Sequence, residues 1–186
     1  MALVKNTNCG FVTAAPVADP NEGTQRIDYQ ALAMKCEAPP YAVKVTEIGW
    51  YCSNATEAAD FEVGVYEQNA GDNNPEALVG KSAATAKGTT EGWKKVTGLN
   101  IAIVAGQTYW LAAELDDTAT MTNADGKSDA GQKTDMKTLQ TELEDPWGAS
   151  SGTYGILLGI YAVYETSVPA NIKSNGSLYG ELPSAA

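Results

Sequence analysis

Residues 60–67, DFEVGVYE, are the stretch that decides the fold. One set of alternating positions holds Phe61, Val63 and Val65, and the other holds Glu62, Gly64 and Tyr66. A period of two places each set on its own face of a β-strand, because successive side chains of a strand point to opposite sides. The stretch therefore predicts a half-buried strand with Phe61, Val63 and Val65 facing the core.

Similar segments lie on both sides of this strand. Residues 41–52 follow Pro39-Pro40, which excludes a helix there, and residues 108–115, TYWLAAEL, are apolar enough for a central strand. Shorter strands are predicted at residues 77–82, at 92–99 and 100–104 with a joint at Gly98, and at 153–165. The 153–165 strand is apolar on both faces and is expected to lie between neighbours or against a partner.

Short strands separated by glycine-rich turns indicate a sandwich or a barrel. We predict a single all-β domain, an antiparallel β-sandwich of jelly-roll type. Residues 1–40 are expected to form an N-terminal arm with the first strand or strands, residues 41–165 the sandwich core, and residues 166–186 an extended C-terminal tail. Residues 116–152 are predicted to be a long loop insertion in which only Met136, Leu139 and Leu143 have helical spacing.

Charge excludes two classes of partner. The chain has 12 basic and 23 acidic residues and a net charge of −11. A surface of this sign repels phosphate backbones and anionic lipid, so neither nucleic acid nor a membrane is an expected partner. No apolar run reaches the length of a membrane-spanning helix.

The N-terminus and the cysteines bear on the cellular compartment. MALVKNTN lacks a charged region followed by an apolar region, which predicts synthesis in the cytoplasm without a secretory leader. Cys9, Cys36 and Cys52 have no metal-type spacing and are expected to be buried thiols. A Cys36–Cys52 or Cys9–Cys36 bridge would need an oxidising environment.

The sequence offers little catalytic chemistry. Histidine is absent, which removes the usual base of hydrolases, and no glycine-rich phosphate loop occurs. Glu114-Leu115-Asp116 resembles the start of the Glu-x-Asp-x-x-Glu motif of laminarinase-like glycosidases, but Ala119 stands where the last acid belongs. A paired-carboxylate mechanism needs both acids. We therefore predict no enzymatic activity and keep a glycosidase as the third alternative.

Oxygen ligands for calcium are concentrated after residue 115. Asp116, Asp117, Asn123, Asp125 and Asp129 are hard ligands in one predicted loop, although their spacing is not that of an EF-hand. A calcium site is one interpretation, and a solvated acidic loop without any cofactor is the other.

Aromatic and amide side chains are the candidate binding residues. Trp147 lies in a Pro-Trp-Gly segment and is predicted to be an exposed ring, whereas Trp50, Trp93 and Trp110 are predicted to pack the core. The candidate glycan or assembly contacts are Trp147, Tyr66, Tyr51, Asn73 and Asn74.

The run 92–99, GWKKVTGL, followed by Ile101, Ile103, Gly106 and 109–112, YWLA, resembles a pattern in two groups of jelly-roll domains. These groups are phage virion proteins and carbohydrate-binding modules. The segments 46–52 and 61–66 fit the same pattern, and the resemblance covers residues 41–115 with 154–164 as a closing strand. It implies a capsid decoration, fibre or other surface component, often oligomeric.

Two functions therefore compete. The first hypothesis is a structural protein of a virion or other particle, located at the virion surface or on an extracellular particle. It would assemble as a homo-oligomer, such as a trimer, and with other particle proteins. The alternative is a carbohydrate-binding module or adhesin that contacts a surface glycan.

Overall fold

The computed structural model describes residues 1–167, and this part of the chain contains fourteen strands and no helix. The strands are β1 (Gly10–Val12), β2 (Thr24–Arg26), β3 (Gln30–Glu37), β4 (Ala42–Ser53), β5 (Asp60–Gln68), β6 (Pro75–Lys81), β7 (Thr85–Ala86), β8 (Gly92–Ala102), β9 (Thr108–Leu115), β10 (Asn123–Ser128), β11 (Thr134–Thr138), β12 (Gly152–Tyr154), β13 (Ile156–Leu158) and β14 (Ile160–Thr166).

The strands form two seven-stranded sheets that pack as a sandwich. The first sheet has the order β1-β14-β4-β10-β13, with β2 paired to β10 and β8 paired to β4. The second sheet has the order β12-β11-β3-β9-β5-β6, with β7 paired to β5. All strand pairs are antiparallel except β1 and β14, which are parallel. The predicted all-β sandwich is confirmed.

Alternation along β5 and β9 builds the core between the sheets. Phe61, Val63 and Val65 belong to the main buried cluster, as predicted, and Leu111 and Ala113 of β9 join it. β9 lies between β3 and β5, so its prediction as a central strand is also confirmed.

A second, smaller cluster lies on the outer face of the second sheet, beneath residues 139–151. Tyr66 of β5 and Trp110 of β9 point to this face and pack with Leu143 and Trp147 of the covering segment. β5 is therefore buried on both faces, not half-buried as its pattern predicted. The reason is tertiary, because a segment distant in the chain folds over a face that would otherwise contact water.

The prediction for residues 116–152 is wrong. They are not a loop insertion, because β10 lies within the first sheet and β11 pairs with β3 in the second. Residues 1–40 contain the first strands, β1, β2 and β3, and β3 is an inner strand of the second sheet. The sequences NADGKS and TDMKT of β10 and β11 are polar, so they lack the apolar alternation that identifies a strand.

Local details also differ from the predictions. Residues 92–102 form the single strand β8 rather than two strands, and Gly98 accommodates a positive φ of 73° within it. The predicted 153–165 strand is divided into β12, β13 and β14, of which β14 lies between β1 and β4 as expected. The helical spacing of Met136, Leu139 and Leu143 produces no helix. Most of the predicted C-terminal tail, residues 168–186, lies outside the described residues.

Candidate functional site

Trp147 is a core residue, not an exposed ring. Its side chain is 1% exposed and meets Tyr66, itself fully buried, edge to face with ring centroids 5.0 Å apart. The Trp147 indole donates to Asp135 Oδ1 at 2.8 Å, and the Tyr66 hydroxyl donates to the carbonyl of Glu144 at 2.6 Å. Neither ring can stack on a sugar in this arrangement, so the prediction that Trp147 is exposed is wrong.

Tyr51 belongs to an aromatic cluster on the outer face of the first sheet, formed by Tyr51, Trp93 and Tyr161. The Trp93 ring lies 5.3 Å from Tyr51 and 5.2 Å from Tyr161, edge to face in both cases. Tyr51 is 8% exposed, and burial, followed by a hydrogen bond to Asp19, raises its pKa to about 12. Trp93 is half-buried and its indole donates to the carbonyl of Ala18 at 3.0 Å. The prediction that Trp93 packs the core is therefore wrong.

The predicted calcium ligands are not brought together. Within residues 1–167 no group of three or more His, Cys, Asp or Glu side chains has a geometry that could hold a metal ion. Asp116 and Asp117 follow β9, whereas Asp125 lies in β10 and Asp129 in the turn after it. The Asp125 carboxylate accepts from the Glu22 amide at 3.2 Å, and Asp129 accepts from the Gly131 amide at 2.9 Å. The five residues are close in sequence, but the strand β10 separates them in space.

Glu114, the first acid of the glycosidase-like motif, is closed to a substrate. Its side chain is 1% exposed and lies opposite Glu62 of β5. Burial, and secondarily the charges of Asp116 and Glu62, raise the pKa of Glu114 to about 9. Ala119 donates its backbone amide to Glu57 at 2.9 Å and supplies no acid.

Asn73, in contrast, lines a solvent-open cleft of about 530 Å³, and the neighbouring Asn74 contacts Lys133 of the same cleft. Separate chain segments meet there: the N-terminal segment, β3, the loop between β5 and β6, the start of β9, and the turn between β10 and β11. Charged and amide side chains line much of this cleft, namely Lys5, Lys35, Glu37, Asn73, Gln132 and Lys133. We call this site the lysine–amide cleft.

The loop that presents Asn73 is fixed by its own side chains. Asn69 Oδ1 accepts from the amides of Gly71 at 2.7 Å and Asp72 at 3.0 Å, which closes the turn. Asn73 adopts a φ of 56°, a conformation that asparagine tolerates better than most residues. Residues 69–74, NAGDNN, consist mainly of asparagine, glycine and aspartate, the residue types that favour such turns.

Hydrogen bonds connect the three lysines with the amides of the cleft. Lys133 Nζ donates to the carbonyl of Asn73 at 2.6 Å and to Asn74 Oδ1 at 2.8 Å, and Lys35 Nζ donates to Asn73 Oδ1. Lys5 Nζ donates to Gln132 Oε1 at 3.0 Å. Asn73 therefore contacts two ammonium groups, and its loop is tied to both β3 and the β10–β11 turn.

Gln132 organises the floor of the cleft. Its side chain is 7% exposed, and its Nε2 donates to the carbonyls of Lys35 at 2.7 Å and Lys133 at 3.0 Å. The same amide accepts from Lys5, so one buried group positions all three lysine-bearing segments. Trp110 lies beneath, with Lys133 Nζ 5.8 Å from its ring centroid.

Sequence reasoning found Asn73 and Asn74 but missed Lys5, Lys35, Gln132 and Lys133. Lys35 occupies one position in the otherwise apolar run ALAM-K-C of β3, which marks it as a residue facing out of the core. No pattern in the sequence could connect it with a turn nearly a hundred residues later, because that proximity depends on the β3–β11 pairing.

Comparisons with known proteins give one structural match of low similarity. No protein-family model and no curated protein matches the chain. The crystal structure of the cysteine protease and lectin-like domains of Cwp84, a surface layer associated protein of Clostridium difficile, superposes with a TM-score of 0.46 and 13% identity. The match covers 83% of this chain and 37% of that structure. At this similarity it carries no argument about function, and the comparisons do not show the predicted likeness to phage virion proteins.

In the part of the chain that the structure describes, no helix has the length and apolar character needed to cross a bilayer.

Proposed function

We propose that this chain is a non-enzymatic carbohydrate-binding domain whose ligand site is the lysine–amide cleft. The observation that carries the proposal is the convergence of Asn73, Gln132 and Lys133 from separate chain segments on one open concavity, with Asn74 held against Lys133. Amide, ammonium and carboxylate groups at fixed positions are suited to sugar hydroxyls, which both donate and accept hydrogen bonds.

The rest of the chain supports binding rather than catalysis. It contains no histidine, and Glu114, the first acid of the glycosidase-like motif, is buried at 1% exposure, while Ala119 stands at the position of the last acid. The side chains of the cleft offer one carboxylate, Glu37, where glycoside hydrolysis by the paired-acid mechanism needs two.

The test is a glycan array probed with the native protein and with two variants. Asn74→Ala removes the amide that Lys133 contacts at the cleft, and Lys95→Ala removes an exposed lysine on β8 of the other sheet. We expect the native protein and Lys95→Ala to bind the same glycans and Asn74→Ala to lose signal. An array without hits for the native protein, or equal signals for all three proteins, would contradict the proposal.

An exposed apolar patch favours a second candidate function, assembly at a particle surface. Tyr41, Val43 and Val104 are 59%, 41% and 60% exposed and line one groove of about 690 Å³. Contiguous exposed apolar side chains commonly mark contact sites between proteins. We propose that this patch contacts a second copy of the chain, which would make the domain an oligomeric surface component of a virion or other extracellular particle.

Light scattering tests the assembly candidate. Val104→Glu places a charge in the apolar patch, and Val17→Glu places the same charge at an isolated valine that is 93% exposed. We expect an oligomeric mass for the native protein and for Val17→Glu, and a monomer for Val104→Glu. A native protein that stays monomeric at high concentration excludes this candidate and leaves carbohydrate binding unaffected.

A further inference from the structure

Most lysines that the structure describes outside the lysine–amide cleft are paired with an acid. The chain carries almost twice as many acidic as basic residues, and Lys44, Lys81, Lys95, Lys127 and Lys137 each lie within ion-pair distance of a carboxylate. Lys87 and Lys94 instead donate to backbone carbonyls, and neither lines the cleft. In residues 1–167 no carboxylate forms an ion pair with Lys5, Lys35 or Lys133. Their polar contacts are neutral amide and carbonyl oxygens.

These three ammonium groups are held near one another by the structure. Lys35 Nζ donates to the side-chain oxygen of Asn73 and Lys133 Nζ donates to its backbone carbonyl, so both ammonium groups contact one residue. Lys5 contacts the buried Gln132, which in turn binds the backbone carbonyls of Lys35 and Lys133. Three like charges repel one another, so their convergence without a carboxylate partner is costly unless an anion joins them.

From this arrangement we infer that the cleft binds an acidic saccharide, with a carboxylate or sulfate group of the sugar between Lys5, Lys35 and Lys133. The inference rests on the proposed carbohydrate-binding function and specifies its ligand class. An ammonium–carboxylate hydrogen bond is stronger than a neutral one. The amides of Asn73, Asn74 and Gln132 would contact the hydroxyls next to the charged group.

The same charges favour a sparsely charged ligand over a dense polyanion. Glu37 also lines the cleft, and the molecule as a whole has a net charge of −11. Both repel a chain of closely spaced phosphates or sulfates. A single acidic group flanked by hydroxyls, as in a uronic acid residue, meets the lysines locally while keeping the remaining negative charge low.

The experiment compares the methyl glycoside of galacturonic acid, which carries a single carboxylate, with its methyl ester by calorimetry. Esterification removes the charge and keeps the sugar ring and its hydroxyls. We expect the acid form to bind at least about tenfold more tightly than the ester. Its affinity should fall as NaCl rises from about 50 mM to about 500 mM, because salt screens exposed charges. A sulfated monosaccharide and inorganic phosphate complete the probe set.

Variants that remove single charges test whether the lysines of the cleft cause the preference for the acid form. Lys35→Gln and Lys133→Gln remove the positive charge and keep an N–H donor on a side chain one bond shorter, and Lys5→Gln provides a third variant at an exposed position. Each should weaken binding of the acid form about tenfold, whereas the control Lys95→Gln on the other sheet should not. Circular dichroism confirms that each variant is folded.

The outcomes separate this inference from the proposed function. Equal binding of the acid and ester forms, or no change in Lys35→Gln and Lys133→Gln, overturns the acidic-saccharide inference and leaves carbohydrate binding standing. Binding of phosphate with no binding of any saccharide on the array overturns both. Preferential binding of the uronate or of the sulfated sugar, lost in the cleft variants alone, supports both.

Discussion

The indole Nε1 of Trp147 donates a hydrogen bond of 2.8 Å to Oδ1 of Asp135, and both side chains are buried. The other carboxylate oxygen of Asp135 accepts from Ser150 Oγ at 2.6 Å and from Thr153 Oγ1 at 3.3 Å. Asp135 lies on β11, while Trp147 and Ser150 belong to the segment that covers the second sheet. This carboxylate therefore holds the covering segment in place.

Removing the acceptor should loosen that segment. Asp135→Ala leaves the buried Trp147 N–H without a partner, so we expect the free energy of unfolding to fall by about 1–3 kcal/mol. Trp147→Ala also removes the buried ring and should cost about 3–5 kcal/mol. Urea unfolding followed by fluorescence measures both. The control is Leu139→Ala, at a side chain 70% exposed in the same segment. Native-like stability of Asp135→Ala would contradict the assigned role.

Glu114 makes stability depend on pH. Its pKa is raised from 4.5 to about 9, so between these values the folded protein keeps a proton that the unfolded chain has released. Stability from this group is therefore complete below about pH 4.5 and is lost as pH rises towards 9. Glu114→Gln cannot ionise and should be more stable than the native protein at pH 8, by about 1–3 kcal/mol.

Urea unfolding of the native protein and of Glu114→Gln at several pH values measures this effect as the difference between their free energies of unfolding. The difference should approach a constant at acidic pH and grow with pH up to about 9. A Glu114→Gln variant that is destabilised equally at every pH would show that Glu114 is charged in the folded protein. A separate assay tests the glycosidase hypothesis: it would be restored if the native protein hydrolysed a polysaccharide and Glu114→Gln did not.

The three cysteines should be unreactive in the folded protein. Cys9, Cys36 and Cys52 are buried free thiols, and burial raises their pKa values to about 12, about 12 and about 11. The thiolate is the reactive form. We expect no labelling by an aromatic disulfide reagent until denaturant is added, and then three equivalents. Val17→Cys, at a position 93% exposed, should add one thiol that reacts at once. Rapid labelling of the native protein would contradict this expectation.

Gly49 should not tolerate a side chain. A Cβ at this position would lie 2.7 Å from the Tyr161 ring and 2.8 Å from the carbonyl oxygen of Lys94. The carbonyl belongs to the neighbouring strand β8 and cannot move away without breaking the pairing. Gly49→Ala should therefore lower the free energy of unfolding by about 1–3 kcal/mol. Gly71→Ala, in an open loop position, is the matched control and should be near neutral.

A Trp93→Ala variant distinguishes between two candidate saccharide sites, the lysine–amide cleft and the aromatic cluster. It is the half-exposed ring of that cluster, on the outer face of the first sheet. We expect Trp93→Ala to retain saccharide binding by calorimetry, because the cleft lies among other elements. Loss of binding in a folded Trp93→Ala protein would place the ligand on the aromatic cluster instead.

Strands with apolar alternation were predictable, and polar strands were not. β4, β5 and β9 were identified because their apolar residues recur with a period of two. β10 and β11 were taken for a loop because Asn123, Asp125, Thr134 and Asp135 are buried through hydrogen bonds and pairing rather than through apolar character. A buried polar residue looks the same in sequence as a solvated one, since its partners lie elsewhere in the chain.

The neighbouring sequence was also insufficient to predict whether a single aromatic ring is buried or exposed. Trp147, in a Pro-Trp-Gly segment typical of a surface loop, is buried because that segment folds onto the second sheet. Trp93, in a strand typical of a core, is half-exposed because it faces outward. In each case the burial of the ring depends on which distant segments pack against that face of the sheet. The residues adjacent to the ring in sequence do not reveal those contacts.

The sequence by itself determined an all-β domain whose core includes β5 and β9. It also determined the buried thiols, the acidic net charge and the absence of histidine. These properties depend on composition and on a period of two, both of which are local. The lysine–amide cleft was decided by tertiary structure alone. Its lysines, asparagines and glutamine lie in separate segments, and only the β3–β11 pairing and the packing of two loops bring them together.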